Sequence, residues 1–199
     1  MDTSRLPTLR LAARKAIELK GCVATSQIGR GRPENAFLGL SGPYEGDCAV
    51  RTAKHGWFAF PWNTDHWGTL RDSKFVLVAN YDDDDVPTFV AVRFFQADRL
   101  LDAFDAARQA RLKRGLKVSD NTGMWVALHE YPSLPDNDNF EALADWVVHI
   151  PLPLDPARVP AAPAALSNPP LGLSIAEAKL RLAAHYGVDP QAIEIVIRG

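Results

Sequence analysis

The stretch from residue 57 to residue 67 carries the side chains best suited to bind a ligand by stacking. Three of the five tryptophans lie in it, together with two phenylalanines and a histidine: Trp57, Phe58, Phe60, Trp62, His66 and Trp67. Aromatic rings offer flat faces on which bases, sugars or peptide side chains can stack. The same rings also carry much of the buried area of ordinary protein cores. The pattern favours a wall at the end or edge of a sheet, and a stacking surface is the alternative.

A basic loop precedes this stretch in the chain. Residues 29–34 read GRGRPE, so that Arg30 and Arg32 alternate with glycines and a proline follows. Glycine and proline in this density indicate a loop. Guanidinium groups match the geometry of phosphate oxygens. The loop is therefore a candidate phosphate contact.

Other common kinds of site find no support in the sequence. The five histidines are scattered without metal-type spacing, although His55 and His66 flank the aromatic stretch. The acidic run Asp82–Asp85 lacks the spacing of a calcium loop and indicates a solvated turn. No phosphate-binding glycine loop and no nucleophile motif is present. A kinase or a dehydrogenase is therefore not expected, and no metal site is predicted from spacing.

Composition is that of an ordinary soluble domain. The 199 residues are 47% hydrophobic and 23% charged, with a net charge of −2, which argues against a strongly basic nucleic-acid coat. No apolar run is long enough to span a membrane, and the first residues lack the apolar core of a signal peptide. These features predict a cytoplasmic bacterial protein without a membrane partner. Cys22 and Cys48 are predicted to be reduced thiols.

Several elements must position the candidate residues. Apolar spacing predicts a first helix over 5–20 and a stronger one over 97–114. Val- and Phe-rich runs that are apolar on both faces indicate strands covered on both sides. Asp82–Asp85 with Pro87 forms the turn between two of them. The predicted strands are 23–28, 35–40, 48–53, 57–62 (broken by Pro61), 75–81, 88–95 and 123–129, with a short helix or strand over 140–149.

The elements predict an α/β (α+β) fold with a mixed central sheet of about five strands flanked by helices. Residues 1–149 form the predicted core domain. Residues 150–170, rich in proline and alanine, indicate an extended linker. Residues 171–199 predict a helix–strand appendage, opened by the capping box Ser174–Glu177. One helix and one strand cannot bury a core alone, so we expect this tail to dock on the core, on a protein partner or in a homodimer.

Three short segments resemble the PD-(D/E)XK, or restriction-endonuclease-like, superfamily. A small bacterial type of that superfamily has a helix, then an N-A-F-D strand, a strand ending in Q-V-K-T before a tryptophan, and a strand of F-V-x-V character. Similar segments here are Asn35–Phe37, Ala49–Thr52 followed by Trp57, and Phe75–Val78. The resemblance covers about residues 10–128. It implies a nuclease-like core with the order helix, three strands, helix, strand.

The resemblance also implies that the metal site has been lost. Active members hold a divalent metal with an aspartate at the end of one strand and a Glu or Gln two residues before a lysine on the next. The corresponding positions here carry Leu38, Ala49 and Arg51. Leucine and alanine supply no oxygen ligand, so no cofactor is expected.

A shifted catalytic site is the alternative. Asp47 just precedes the predicted strand, Lys54 follows its end, and Glu34 or Glu18 could add a second carboxylate. Such a set would hold Mg²⁺ and activate water against a phosphodiester. Thr52 stands where the second acid belongs, so ordinary surface charges are the favoured interpretation.

Three functions therefore stay open. The favoured one is a nuclease-like protein without its metal, which regulates or binds DNA or RNA with a steep salt dependence. The second is a protein-interaction module that uses the aromatic stretch and the C-terminal strand. The third is an active magnesium-dependent nuclease. The residues predicted to bind nucleic acid are Arg30, Arg32, Arg51, Lys54, Trp57 and Trp62.

Overall fold

The computed structural model describes residues 5–27, 34–129 and 139–154. All of them belong to the first of two units into which the chain divides, Met1–Pro163 and Ala164–Gly199. Arg30, Arg32 and the predicted tail 171–199 lie outside the described residues, as does most of the predicted linker. No helix in the described ranges is long and apolar enough to cross a membrane.

The described residues form nine strands, three α-helices and one 3-10 helix. The helices are Leu6–Leu19 (α1), Gly68–Arg71 (α2) and Ala97–Lys113 (α3), with the 3-10 helix at Phe140–Leu143. The strands are Val23–Ser26 (β1), Phe37–Ser41 (β2), Gly46–Thr52 (β3), Trp57–Asn63 (β4), His66–Trp67 (β5), Phe75–Tyr81 (β6), Phe89–Gln96 (β7), Thr122–Ala127 (β8) and Trp146–Pro151 (β9).

Six of the strands form the main sheet, in the order β1-β2-β3-β6-β7-β9. β3 and β6 are parallel, and every other pair in this sheet is antiparallel. All seven residues of β6 are buried, as predicted for a strand covered on both faces. The parallel pair requires a crossover, and β4, β5 and α2 provide it between β3 and β6.

Helix α1 covers one face of the main sheet. Its buried residues are Leu9, Ala12, Ala13, Ala16 and Ile17, at the spacing of a single helical stripe. Three of these five residues are alanines, and their small side chains allow the helix to lie close to the strands. The face they cover includes Cys22 and Cys48, which are both buried and free. Burial raises the pKa of the Cys48 thiol, so it stays protonated.

The second sheet is small and has the order β5-β4-β8. β4 runs through Pro61 without a break, and Pro61 lies opposite Gly123 of β8. The other edge of β4 pairs with β5 only at Trp62 and Asn63, so the missing N–H of Pro61 interrupts no described ladder. The predicted interruption at Pro61 is therefore wrong.

The second sheet packs with α3 over the remaining face of the main sheet, and aromatic rings fill the space between. Phe104 of α3 is the centre of this core. Its ring makes edge-to-face contacts with Phe58 at 5.7 Å, Phe60 at 5.4 Å and Trp67 at 5.1 Å. The Trp67 indole N–H also donates to Asp105 Oδ1 at 2.8 Å. These side chains are core residues, as the favoured interpretation expected, but they pack over a face of the main sheet rather than at its end or edge.

The mixed α/β fold is confirmed, with two differences in detail. The main sheet has six strands rather than about five. The predicted strand over 123–129 belongs to the second sheet as β8. The predicted short helix or strand over 140–149 contains both, and β9 continues two residues into the predicted linker, to Pro151.

Candidate nucleic-acid interface

The predicted catalytic pair Asp47 and Lys54 is not brought together. Asp47 lies near the start of β3 and Lys54 just beyond its end, and at about 3.3 Å per residue this puts them roughly 20 Å apart. The Asp47 carboxylate accepts a hydrogen bond from Gln27 Nε2 at 2.7 Å. Residues separated by the length of a strand cannot share one metal ion.

The additional carboxylates do not complete the shifted site. Glu34 is exposed and precedes β2, at the end of the β2–β3 pair where β3 finishes, far from Asp47. Glu18 lies on α1 and pairs with Arg14 at 2.8 Å. The described residues contain no cluster of three metal-type side chains.

The positions implied by the nuclease resemblance also fail to converge. Leu38 is fully buried on the face that α1 covers. Ala49 is fully buried on the opposite face, beneath the second sheet. Arg51 lies on the same side as Ala49, since it is two residues further along the strand. Acids placed at 38 and 49 would point away from each other, so this alignment produces no metal site.

Arg51 is partly buried, and its guanidinium contacts other side chains of the protein. Its guanidinium carbon lies 4.4 Å from the centre of the Phe60 ring, and its Nη2 donates to Thr69 Oγ1. Lys54 lies on the other side of the sheet, where it lines a pocket with Leu6 and Leu9 of α1. The two cations predicted to share a phosphate therefore face opposite sides.

The predicted stacking residues Trp62 and Trp57 differ in exposure. Trp62 is only 8% exposed; its ring contacts Trp67 at 4.9 Å, and the Arg108 guanidinium covers it at 3.9 Å. Such a ring cannot stack on a ligand. Trp57 is half-buried and points to the other face of β4.

The outer face of the second sheet carries an exposed ring that the sequence analysis missed. Trp125 of β8 is 48% exposed and lies opposite Ala59, on the same side as Trp57. Its indole nitrogen lies close to Gly123 of the same strand. Met124, Trp125 and Val126 are all hydrophobic, so the sequence shows no alternation here, and only the burial pattern of β8 reveals the exposed ring.

Positive charge lies on two sides of Trp125. Arg111 of α3 donates from Nη2 to the Trp125 carbonyl oxygen, which places its guanidinium at the edge of β8. Lys54 shares a pocket with the Trp125 side chain. Among the described residues, none pairs with the Lys54 ammonium. An open aromatic ring between two cations is an arrangement that can hold a base and its flanking phosphates.

The pocket beside Trp125 lies at the carboxyl ends of the parallel strands β3 and β6. Its volume is about 430 Å³, within the range of small-molecule sites. Crevices at the carboxyl ends of strands are the common ligand position in open α/β sheets. Its lining residues are Arg5, Leu6, Leu9, Thr52, Ala53, Lys54, His55, Tyr81, Asp84, Asp85 and Trp125.

An acidic turn forms one side of this pocket, and hydrogen bonds hold it in place. His55 Nδ1 lies 2.5 Å from Asp84 Oδ2, and Arg5 donates to the Asp84 carbonyl oxygen. The Thr88 hydroxyl, together with the backbone N–H groups of Phe89 and Thr88, lowers the pKa of Asp82 to about 2. Asp82 is therefore ionised at neutral pH, and its hydrogen bonds tie the start of the turn to Thr88 and Phe89.

A polar network anchors the main sheet to the segment before β9. Arg93 of β7, only 5% exposed, donates from Nε to Glu141 Oε1 at 2.7 Å and from Nη1 to Asn80 Oδ1 at 2.5 Å. His129 Nδ1 lies 2.8 Å from Glu141 Oε2. Partial burial would raise the pKa of Glu141, but Arg93 and His129 outweigh it and the pKa is lowered. The arrangement satisfies a buried charge, and its partners are engaged within the protein.

Comparison with protein-family models, with curated proteins and with solved structures finds no significant match for this chain. The nuclease resemblance therefore rests on the short motifs alone and stays a prediction.

Proposed function

We propose that this protein binds single-stranded nucleic acid on the outer face of the second sheet, and that it binds the strand without cleaving it. The observation that carries the proposal is the half-exposed ring of Trp125, set between the Arg111 guanidinium and the Lys54 ammonium. The cytoplasmic location predicted from the sequence forms part of the proposal.

Stacking supports a single strand rather than a duplex. Bases of a duplex are stacked on one another and offer no free face to a protein ring, whereas an unpaired base does. Trp125 is 48% exposed, and its indole nitrogen lies close to Gly123. Trp57, two residues before Ala59 on the neighbouring strand, extends the same face. A strand that follows this face would meet the exposed Trp125 ring with one of its bases.

Charge supports a nucleic acid over an apolar protein partner. Arg111 and Lys54 are spread along the face on either side of the ring, as the phosphates of an extended strand are spread on either side of a base. Binding without cleavage is supported by the residues at the nuclease positions, since Leu38 and Ala49 supply no metal ligand and lie on opposite faces. We therefore expect no requirement for magnesium.

The test is a binding titration with a short labelled DNA strand of mixed sequence, read by fluorescence anisotropy. Trp125→Ala should weaken binding by the worth of one stacked base, about 1–3 kcal/mol or roughly 5- to 140-fold in Kd. Trp125→Phe keeps a ring and should recover part of the loss. Fold and melting temperature should stay near those of the wild type because the side chain is half-exposed.

Val147→Ala provides the matched control. Val147 is 41% exposed on β9 and belongs to the main sheet, so its removal changes exposed apolar area away from the proposed face. Equal affinities of the two alanine variants would sink the proposed face. If Trp125→Ala weakened binding to a protein partner but left strand affinity unchanged, the protein-interaction module would be favoured instead.

A further inference from the structure

We infer that the pocket at the carboxyl ends of β3 and β6 is a nucleotide site that receives one nucleotide of the bound strand. The inference rests on the proposed function, because Trp125 belongs to both surfaces: it stands on the open face and also lines the pocket. It adds a defined ligand, a nucleoside monophosphate unit, and it assigns roles to Lys54, Asp85 and Thr52 of the pocket.

The size of the pocket fits one nucleotide. The pocket holds about 430 Å³, which places it among small-molecule sites rather than extended grooves. Leu6, Leu9 and Ala53 form an apolar wall, and the exposed ring of Trp125 stands at the border with the open face. A base entering from the open face can therefore keep contact with the indole.

The polar lining matches the parts of a nucleotide. Lys54 offers an ammonium for the phosphate, and Asp85 offers a carboxylate that can accept hydrogen bonds from sugar hydroxyls or a base amino group. Neither charged group pairs with another described side chain, although both line one pocket. Thr52 adds a hydroxyl that is both donor and acceptor. A cation, a carboxylate and a ring together select a ligand with an anionic end, hydrogen-bond donors and a flat apolar body.

The rim that carries the carboxylates is fixed before any ligand binds. His55 is held in the tight turn after Lys54, its backbone N–H donates to Asp84 Oδ2 at 3.1 Å, and its ring contacts the same oxygen. The backbone N–H of Asp85 donates to Asp83 Oδ1 at 2.7 Å. The acidic turn is thus tied to the segment that follows β3, and Asp85 lines the pocket from this turn.

The test is calorimetric titration of the full chain with adenosine 5′-monophosphate, adenosine and inorganic phosphate as separate probes. Lys54→Gln should weaken binding of the monophosphate roughly tenfold, as expected for one charge-assisted hydrogen bond, and should leave adenosine binding unchanged. Asp85→Ala should weaken both the monophosphate and adenosine. Lys113→Gln, an exposed lysine at the end of α3 outside the pocket, is the control and should change neither.

The outcomes separate this inference from the proposed function. If the DNA strand binds and Trp125→Ala weakens it, but the monophosphate does not bind and Asp85→Ala leaves strand affinity unchanged, the pocket assignment is overturned and the proposed function stands. If the monophosphate binds with the expected pattern but the strand does not, the nucleotide site stands and the proposed function fails. Absence of binding by every probe overturns both.

Discussion

Arg93 gives the sharpest test of how the fold is held together. Arg93→Met removes a nearly buried guanidinium that donates to Glu141 and to Asn80. Breaking a fully buried pair costs about 3–5 kcal/mol, but the Glu141 side chain is 35% exposed and can be rehydrated, which lowers its share. Asn80 is only 8% exposed, and its Oδ1 loses its donor at a cost of about 1–3 kcal/mol. We expect a net loss of about 3 kcal/mol.

The assay is urea denaturation together with thermal unfolding. A loss of this size should lower the melting temperature by about 6–12 °C for a domain of this length. Arg99→Met is the matched control, because Arg99 also pairs with a carboxylate, that of Asp145 at 2.9 Å, but its side chain is 59% exposed. It should cost less than about 1 kcal/mol. If Arg93→Met costs no more than Arg99→Met, the reasoning from burial is refuted.

Two further predictions concern side chains whose surroundings the structure defines. Arg51→Met should lower stability, because it loses the contact with Phe60 and the bond to Thr69, while strand affinity stays within about twofold of the wild type; a loss of affinity at unchanged stability would restore Arg51 to the interface. The Asp82 carboxyl should titrate near pH 2 in the folded protein, by NMR, rather than at its ordinary value of about 3.9. Because this pKa is depressed, the stability that Asp82 adds is present above about pH 4 and is lost as the pH falls toward 2. The difference in the free energy of unfolding between Asp82→Asn and the wild type should therefore shrink over that range. An Asp82 midpoint near 4 would contradict the hydrogen bonds to Thr88.

Local pattern was sufficient to predict most elements. The stripe from Leu9 to Ile17 is helical in spacing and buries the same residues in the structure. The nearly uniformly apolar run Phe75–Tyr81 is a strand buried on both faces. These segments are dictated by their own periodicity, so distant partners need not be known.

Long-range pairing could not be read from the sequence in the same way. Strands β4 and β8 are separated by the whole of β6, β7 and α3, and nothing local indicates that they form a sheet of their own. That pairing decides which side of Trp62 and Trp125 is covered. The sequence analysis therefore assigned stacking to Trp62, which is core, and passed over Trp125, which is open.

The candidate site also contains features that the sequence could predict and features that it could not. Lys54 was selected for its charge, and the structure puts it in a pocket, but beside the acidic turn rather than beside Asp47. Side-chain type can be read directly, whereas convergence depends on strand direction and register. Asp47 and Lys54 look close along the sequence because they are only seven positions apart, yet an extended strand holds such residues far apart.

The most direct test of the central claim is the salt dependence of binding to a labelled single DNA strand, from about 50 to about 200 mM salt and without magnesium. Contact of Arg111 and Lys54 with two phosphates predicts a slope of about −1.4 in log K against log salt for a single strand. Trp125→Ala should lower affinity at every salt concentration and leave that slope unchanged, because stacking releases no counterions. Absence of binding at the lowest salt, or binding that Trp125→Ala does not weaken, would contradict the claim.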